Sequence, residues 1–260
     1  MKYIETDNID SLPGIQLKPD DRFCFHCHAG LVCFNKCCRN LNLFLYPYDI
    51  LQLKRCLQIS SDQFLETYVD IVLREGNFFP EMLLKMKTSK DLPCIFLTGT
   101  GCIVYEFRPH TCRLFPVEQG FFYDVQKKQV ELIHLFRPPQ FCKGQYEKEK
   151  WTSQQWSMDQ DSDRYNKMTH EWAEIKRLFQ NDPWGGEGLD GPKAKMTFMA
   201  AYNIDLFRDF VCRSSFLKRY RVKPALKRRI LSDDSALLHF GMSWIKYYLW
   251  GIKSNRFSIH

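Results

Sequence analysis

The sequence predicts an α+β protein in which a cysteine-rich, metal-stabilised region of short helices and small antiparallel strands precedes a mainly helical C-terminal part. Ten of the eleven cysteines lie between Cys24 and Cys142. Short β-branched or aromatic runs occur in that region, whereas apolar residues recur at helical spacing beyond Trp151. We therefore predict an N-terminal arm, 1–22, a cysteine-cluster metal-binding domain, 23–143, and a helical region, 144–260, that packs on it.

The length and the first residues indicate reduced cysteines. A chain of 260 residues can bury a core without disulfide support. The opening residues, MKYIETDNIDSLPG, contain no apolar leader segment, so we expect a cytoplasmic protein with reduced thiols. No apolar run approaches the ~18 residues of a membrane span, so no membrane partner is expected. Clustered cysteines in such a protein point to metal binding or redox chemistry.

Two short helices are predicted inside the cysteine region. In PYDILQLKRCLQI, Pro47 fits the first helical position, and Cys56 falls on the apolar face as a core residue. Ser60 followed by Gln63 has the spacing of a capping box, and the helix that they begin is expected to continue until Gly76.

Strands and longer helices follow. We predict strands in MLLKMK, CIFL and CIVYEF, and a hairpin in GFFYDVQKKQVELIHLF that turns at Gln126 to Gln129. Helical spacing then predicts one helix that carries Trp172 to Phe179, a stretch from about Lys195 to Tyr220, and a last helix from about Asp233 to Trp250.

The positive charge is modest and uneven. The formal net charge is +7, and the run KRYRVKPALKRR, from Lys218 to Arg229, is the densest basic segment. Such a run could meet nucleic acid or an acidic partner, but a solvated helix face beside a proline is the favoured interpretation. Nucleic acid is therefore not the expected partner, whereas a protein partner is a further candidate.

The cysteine spacing leaves the metal open. The spacings run Cys24-x2-Cys27-x5-Cys33-x3-Cys37-Cys38, then Cys94-x7-Cys102-x9-Cys112, then Cys142. Only the first gap matches a zinc knuckle, and the ferredoxin spacings are absent. Neighbouring side chains of an extended backbone point to opposite sides, so Cys37 and Cys38 would suit two sites, or one polynuclear cluster with a bent backbone.

Positively charged side chains lie near these cysteines in the sequence. Arg39, Arg108, Arg113 and Lys143 each lie within four positions of a candidate ligand. Four thiolates on Zn²⁺ or on a [4Fe-4S]²⁺ core leave a net charge of about −2, which nearby cations would stabilise.

Three histidines also lie near candidate ligands. His26 and His28 flank Cys27, and either could replace a thiolate. His110, before Cys112, is expected to be exposed or to donate a hydrogen bond to the centre.

Three segments together resemble a known family. They are CFNKCCRNLNLFLYPYDILQLKRCLQISSDQFLETY, PCIFLTGTGCIVYEFRPHTCRLFPVE and FCKG. They are similar to the YkgJ-type cysteine cluster family, which is described as zinc- or iron-chelating. The similarity spans about Phe23 to Lys143. It departs from the family pattern at Tyr46, where a capping threonine is usual, and at Pro93-Cys94, where the order is reversed.

The resemblance implies a ligand set and a function. It nominates eight metal ligands: Cys27, Cys33, Cys37, Cys38, Cys94, Cys102, Cys112 and Cys142. It leaves out Cys24, Cys56 and Cys212. It implies a metal-binding protein that holds zinc or an iron-sulfur cluster. A more distant similarity, to the flagellin lysine N-methylase, implies the alternative of a metal-dependent enzyme that modifies a protein side chain.

Overall fold

The computed structural model describes residues 2–4, 12–124 and 129–259. It confirms the α+β class. The described residues form two compact units, and each unit is assembled from two segments of the chain. The first unit takes its residues from 1–43 and 86–173, and the second from 44–85 and 174–260.

The described part of the first unit contains eight strands, two helices of its own and most of a third helix. Its strands are β1 (Lys2–Ile4), β2 (Ile15–Leu17), β3 (Phe23–Cys24), β7 (Leu97–Thr98), β8 (Gly101–Cys102), β9 (Val117–Asp124), β10 (Gln129–Phe136) and β11 (Lys150–Trp151). Its helices are α3 (His110–Leu114), α4 (Ser153–Asp159) and the larger part of α5 (Asp163–Leu178). Three 3-10 turns, Lys36–Cys38, Tyr105–Phe107 and Lys143–Tyr146, lie beside predicted ligands.

The longest strands form the predicted hairpin. β9 and β10 pair antiparallel from Val117 opposite Phe136 to Asp124 opposite Gln129. The predicted turn at Gln126 to Gln129 falls largely outside the described residues. β2 adds to the hairpin antiparallel to β10, and β1 adds parallel to β9. Two smaller pairs, β3 with β11 and β7 with β8, complete the strands described in this unit.

An aromatic core supports the cysteine segments of this unit. Phe23, Phe25 and Trp156 are buried together with Cys142. The Trp156 indole N–H donates to the Leu114 carbonyl at 2.9 Å, so the polar atom of this buried ring is satisfied. A predicted metal ligand therefore lies within an ordinary hydrophobic core.

The second unit is mainly helical. It contains α1 (Pro47–Leu57), α2 (Ser61–Tyr68), α6 (Pro192–Tyr202), α7 (Ile204–Arg213), α8 (Phe216–Arg219), α9 (Pro224–Ser232) and α10 (Asp234–Trp250). Its strands are β4 (Phe44–Leu45), β5 (Val69–Val72), β6 (Glu81–Leu84), β12 (Tyr220–Val222) and β13 (Phe257–Ile259). They form a sheet in the order β4-β6-β5 and a β12-β13 pair. None of the described helices has both the length and the apolarity needed to span a bilayer.

Local signals explain where these helices begin and end. Pro47 occupies the first turn of α1, and the Asp49 carboxylate accepts the Tyr46 N–H at 2.9 Å. At α2, the Ser60 hydroxyl accepts the Gln63 N–H and the Gln63 side chain accepts the Ser60 N–H. Helix α10 ends at Trp250, and the following Gly251 has the left-handed φ of 67° that is common after the last helical residue.

Stacked aromatic rings fill the core of the second unit. Phe79 and Phe179 are stacked with centroids 4.4 Å apart, and Trp184 lies 5.6 Å from Phe179. Trp184 is 2% exposed, and its indole N–H donates to the Phe78 carbonyl at 2.6 Å. These rings join residues from both chain segments of the unit.

Two helix predictions require correction. The helix that begins after Ser60 ends at Tyr68 instead of continuing to Gly76, because Val69–Val72 forms a strand against Glu81–Leu84. The stretch from Lys195 to Tyr220 is divided into α6, α7 and α8, and Asn203 caps α7 by accepting the Leu206 N–H. Cys56, which was expected in the core, is half-buried.

The units also differ from the consecutive domains suggested by the sequence. Residues 44–85 fall inside the predicted cysteine-cluster domain, yet they belong to the unit that contains 174–260. The ring contacts described above supply a physical reason, since Phe79 stacks on Phe179.

Candidate metal centre

The structure contains no disulfide among the eleven cysteines. The first unit contains nine of them, and the eight predicted ligands are among these nine. Cys56 and Cys212, which the resemblance leaves out, belong to the second unit. Cys24 lies in the first unit, in β3, opposite Lys150.

The adjacent pair Cys37 and Cys38 lies on a bent backbone. Asn35 has a left-handed φ of 62°, and the 3-10 turn Lys36–Cys38 follows it. In this turn the Cys37 thiol donates a hydrogen bond to Cys38. The backbone of the adjacent pair is therefore bent, as the sequence requires for a shared cluster, and the two thiols interact with each other.

This hydrogen bond between the two thiols changes both of their pKa values. It raises the pKa of Cys37, since Cys37 is the donor. The same bond, opposed by burial and assisted by the positive charge of Arg39, lowers the pKa of Cys38 to about 7. Cys38 is thus the thiol of the pair that becomes a thiolate most readily, and a thiolate is the form that binds metal.

Cys94 lies beside Cys38 because the two chain segments pair. The Cys94 N–H donates to the Cys38 carbonyl at 2.8 Å, and Arg39 and Met86 form isolated bridges to Pro93 and Cys94. Burial raises the pKa of Cys94 to about 11. The backbone amide of Cys94 is therefore bonded to the main chain of another predicted ligand.

Two further predicted ligands lie on short elements. The β7-β8 hairpin places Cys102 opposite Leu97, and the sulfurs of Cys94 and Cys102 interact electrostatically. Helix α3 carries Cys112, whose sulfur interacts with that of Cys37.

Cys33 and Cys142 form a second close pair. Their thiols are hydrogen-bonded to each other. The Lys143 backbone N–H donates to Cys33 Sγ at 3.1 Å, and the N–H groups of Gly144 and Gln145 donate to Cys142. Backbone N–H groups that point at sulfur stabilise bound thiolates, so this loop fits a metal-thiolate centre.

The Cys27 thiol interacts with Cys33 and Cys142 and also with Cys38. Although the residue is exposed, burial of its thiol and the nearby sulfurs of Cys142, Cys33 and Cys38 raise its pKa to about 11. Each of the eight predicted ligands thus interacts with at least one other member of the set. Within the described residues, however, no three sulfurs lie within 4.8 Å of one another.

The arginines divide into two groups. The positive charge of Arg39 lowers the pKa of Cys38, as expected of a charge-compensating cation. Arg113, in contrast, is buried, and its guanidinium donates to the Gln160 and Glu106 carbonyls at 2.6 Å. Arg108 donates to the Tyr105 carbonyl and to the Gln160 side chain, both at 2.7 Å. Both arginines therefore hold the loops around Cys112 in place.

The histidines also divide. His110 is 3% exposed, its Nε2 lies 2.8 Å from the Asn166 side-chain oxygen, and burial lowers its pKa to about 3. His110, the first residue of α3, is therefore a buried, neutral side chain, and the expectation that it is exposed is wrong. That it donates a hydrogen bond to the centre stays a prediction. His26 and His28 instead lie at the surface beside Glu147.

Sequence reasoning missed Gly144 and Glu147. Gly144 closes FCKG, and an added Cβ there would lie 2.7 Å from the His26 carbonyl oxygen. Glu147 lies in the polar segment that follows FCKG, and the alternation of Glu147 and Glu149 was the available signal.

Gathered reduced thiols with backbone N–H donors define a domain of the metal-chelating class. Residues 26–155 match the model of the CxxCxxCC family, a zinc- or iron-chelating domain. The match covers half of the 260-residue chain, so the chain belongs to this family. Searches of curated proteins and of solved structures each gave no match. The similarity to the flagellin lysine N-methylase stays a prediction.

Proposed function

We propose that the first unit binds metal through eight cysteine thiolates, as zinc or as an iron-sulfur cluster. The ligands are Cys27, Cys33, Cys37, Cys38, Cys94, Cys102, Cys112 and Cys142. One observation carries the proposal: backbone hydrogen bonds bring cysteines from separate chain segments together, since the Lys143 N–H donates to Cys33 Sγ at 3.1 Å and the Cys94 N–H donates to the Cys38 carbonyl at 2.8 Å. Membership of a zinc- or iron-chelating family supports the same conclusion.

The donors fit the proposed group. Thiolates are the usual ligands of structural zinc and of iron-sulfur clusters. Two pairs of these donors interact, Cys37 with Cys38 and Cys33 with Cys142. Arg39 and the Lys143 N–H supply the positive charge and the donor that thiolates need.

The experiment is anaerobic purification followed by elemental analysis and a visible spectrum. Iron with acid-labile sulfide and broad visible absorption identifies a cluster, and a colourless protein with zinc identifies a zinc centre. A folded, metal-free protein contradicts the proposal. Serine variants of the eight cysteines are expected to lower the metal content, whereas Cys24→Ser is the matched control from the same unit.

A second candidate is metal-dependent modification of a protein side chain, which would give the chain a protein partner. The observation that favours it is the surface position of Cys27, which leaves one edge of the ligand set accessible. An open coordination position is typical of catalytic sites, whereas full coordination is typical of structural sites. A metal-loaded protein whose metal binds a small exogenous ligand, such as cyanide, supports this candidate. A closed coordination sphere opposes it.

A further inference from the structure

A group of three potential ligands lies outside the eight cysteines. The rings of His26 and His28 have centroids 5.0 Å apart. One ligand atom of each histidine and one Glu147 carboxylate oxygen all lie within 4.8 Å of one another. The three side chains come from two separate chain segments, so the fold, rather than local spacing, brings them together.

Backbone hydrogen bonds hold these two segments against each other. The His26 N–H donates to the Gly144 carbonyl at 3.1 Å, and the Phe25 N–H donates to the Glu149 carbonyl at 2.9 Å. The Trp151 indole N–H donates to the Phe25 carbonyl at 2.8 Å. The main chain that carries the group is therefore positioned before any ion binds.

A carboxylate holds the His26 ring in place. Its Nδ1 lies 3.0 Å from a Glu149 carboxylate oxygen, and both side chains are about half exposed. When Nδ1–H donates to this carboxylate, the Nε2 atom keeps its lone pair. A histidine that binds a metal usually donates its other N–H to a carboxylate in this manner.

The His28 ring needs a proton shift within the ring. Its Nδ1 accepts the Gly30 N–H at 3.2 Å, and its Nε2 lies 4.0 Å from a Glu147 carboxylate oxygen. Binding at Nε2 moves the ring proton to Nδ1 and releases the Gly30 N–H, which is exposed and can bond to water instead. No proton is gained or lost by the ring.

We propose that His26, His28 and Glu147 form a second site, which binds a divalent transition-metal ion of the zinc class. Two imidazoles and one carboxylate are a common ligand set for such ions and leave a position for water. Metal–ligand distances of about 2.0–2.2 Å require the three ligand atoms to move closer together. Side chains that are 36% to 44% exposed have room for this movement.

The second site is separate from the thiolate centre. Cys27 lies between the two histidines in sequence, but its sulfur interacts with Cys33, Cys38 and Cys142. The imidazoles face Glu147 and Glu149 instead. The site does not depend on the identity of the metal that the thiolates hold.

The test is a titration of the protein as purified, with its resident metal, by Co²⁺ and by Zn²⁺. Calorimetry is expected to detect one additional ion per chain. The cobalt spectrum should contain weak d–d bands without intense sulfur-to-cobalt charge transfer, because no thiolate is bound. His26→Ala, His28→Ala and Glu147→Gln should each abolish this binding at concentrations that saturate the unmodified protein. Glu149→Gln should weaken it about 10- to 100-fold, as for other carboxylates that orient a histidine ligand.

His134→Gln is the matched control, because His134 belongs to the same unit and pairs with Gln119 in the hairpin. This variant should bind the additional ion unchanged. The proposal is overturned if no additional ion binds, if binding survives in His26→Ala and His28→Ala, or if these variants lose the resident metal instead. A protein that purifies without metal, yet binds one Co²⁺ with the spectrum above, would support this site and contradict the thiolate centre.

Discussion

Gly144 offers a direct test of how the cysteine loops are packed. In Gly144→Ala the new Cβ would lie 2.7 Å from the His26 carbonyl oxygen and 3.0 Å from the Phe25 ring, whereas ordinary contacts begin at 3.4 Å. The two backbones must therefore separate by about 0.7 Å. Phe25 is only 2% exposed and packs edge-on against Trp156, so its ring has little space to move.

This separation should affect both stability and metal retention. Overpacking of a filled core usually costs about 1–3 kcal/mol of unfolding free energy, and we expect Gly144→Ala to fall within that range. The substitution also displaces the N–H that donates to the Cys142 sulfur. Bound metal should therefore pass to a competing chelator faster than in the unmodified protein.

Urea denaturation and a chelator challenge measure the two effects. Gly186→Ala is the matched control, because its Cβ would meet nothing within 4 Å and its φ is not left-handed. We expect the control to lie within about 0.5 kcal/mol of the unmodified protein. The packing argument is refuted if Gly144→Ala retains full stability and metal, or if both alanine variants are destabilised equally.

Three further outcomes follow from the second unit. Trp184→Ala should lower the free energy of unfolding by about 3–5 kcal/mol in urea denaturation, because it empties a buried ring site. Asp205→Asn should lower it by about 1–2 kcal/mol at pH 7, since Asp205 contacts the buried Lys54 at 2.6 Å but is itself 37% exposed. Burial raises the pKa of Asp205, but the bonds from Lys54 and from a backbone N–H outweigh burial and lower it below 3.8. Its contribution should therefore be complete above about pH 4 and disappear as the pH falls through the lowered pKa, which urea curves against pH can follow. Cys56→Ser and Cys212→Ser should leave the metal content unchanged in elemental analysis.

Each of these three predictions has a result that would contradict it. A Trp184→Phe variant as unstable as Trp184→Ala would point to the indole N–H rather than to ring volume. An Asp205→Asn variant whose stability loss grows below pH 4 would reverse the sign derived for this carboxylate. Loss of metal in Cys56→Ser or Cys212→Ser would mean that the second unit contributes ligands.

Elements with local signals could be predicted from the sequence. Pro47 and the Ser60–Gln63 capping box mark the starts of α1 and α2, and the alternation around the hairpin predicts β9 and β10. These features depend on neighbours in sequence, so a single sequence is sufficient to find them.

Elements that depend on distant partners could not be predicted from the sequence. Val69–Val72 continues the apolar pattern of α2, and only its pairing with Glu81–Leu84 makes it a strand. The buried guanidinium of Arg113 binds the carbonyl of Gln160, 47 positions away, whereas its sequence position suggested a cation for the metal.

The candidate centre was predictable in part for the same reason. The resemblance selected eight cysteines, but spacing did not indicate that the Cys94 N–H bonds the Cys38 carbonyl. The pairing of His26 with Glu149, which orients one ring of the second site, is likewise a contact between distant segments. Such contacts require the folded chain.

The most direct measurement of the central claim is X-ray absorption spectroscopy at the sulfur and metal edges of the anaerobically purified protein, combined with elemental analysis. Coordination dominated by sulfur, with Zn–S distances of about 2.3 Å or the short iron–iron distances of a cluster, is the predicted result. The sulfur contribution to the metal spectrum should decrease in Cys37→Ser and Cys38→Ser and persist in Cys24→Ser. A folded protein without metal, or a metal bound mainly by nitrogen and oxygen, would contradict the thiolate centre.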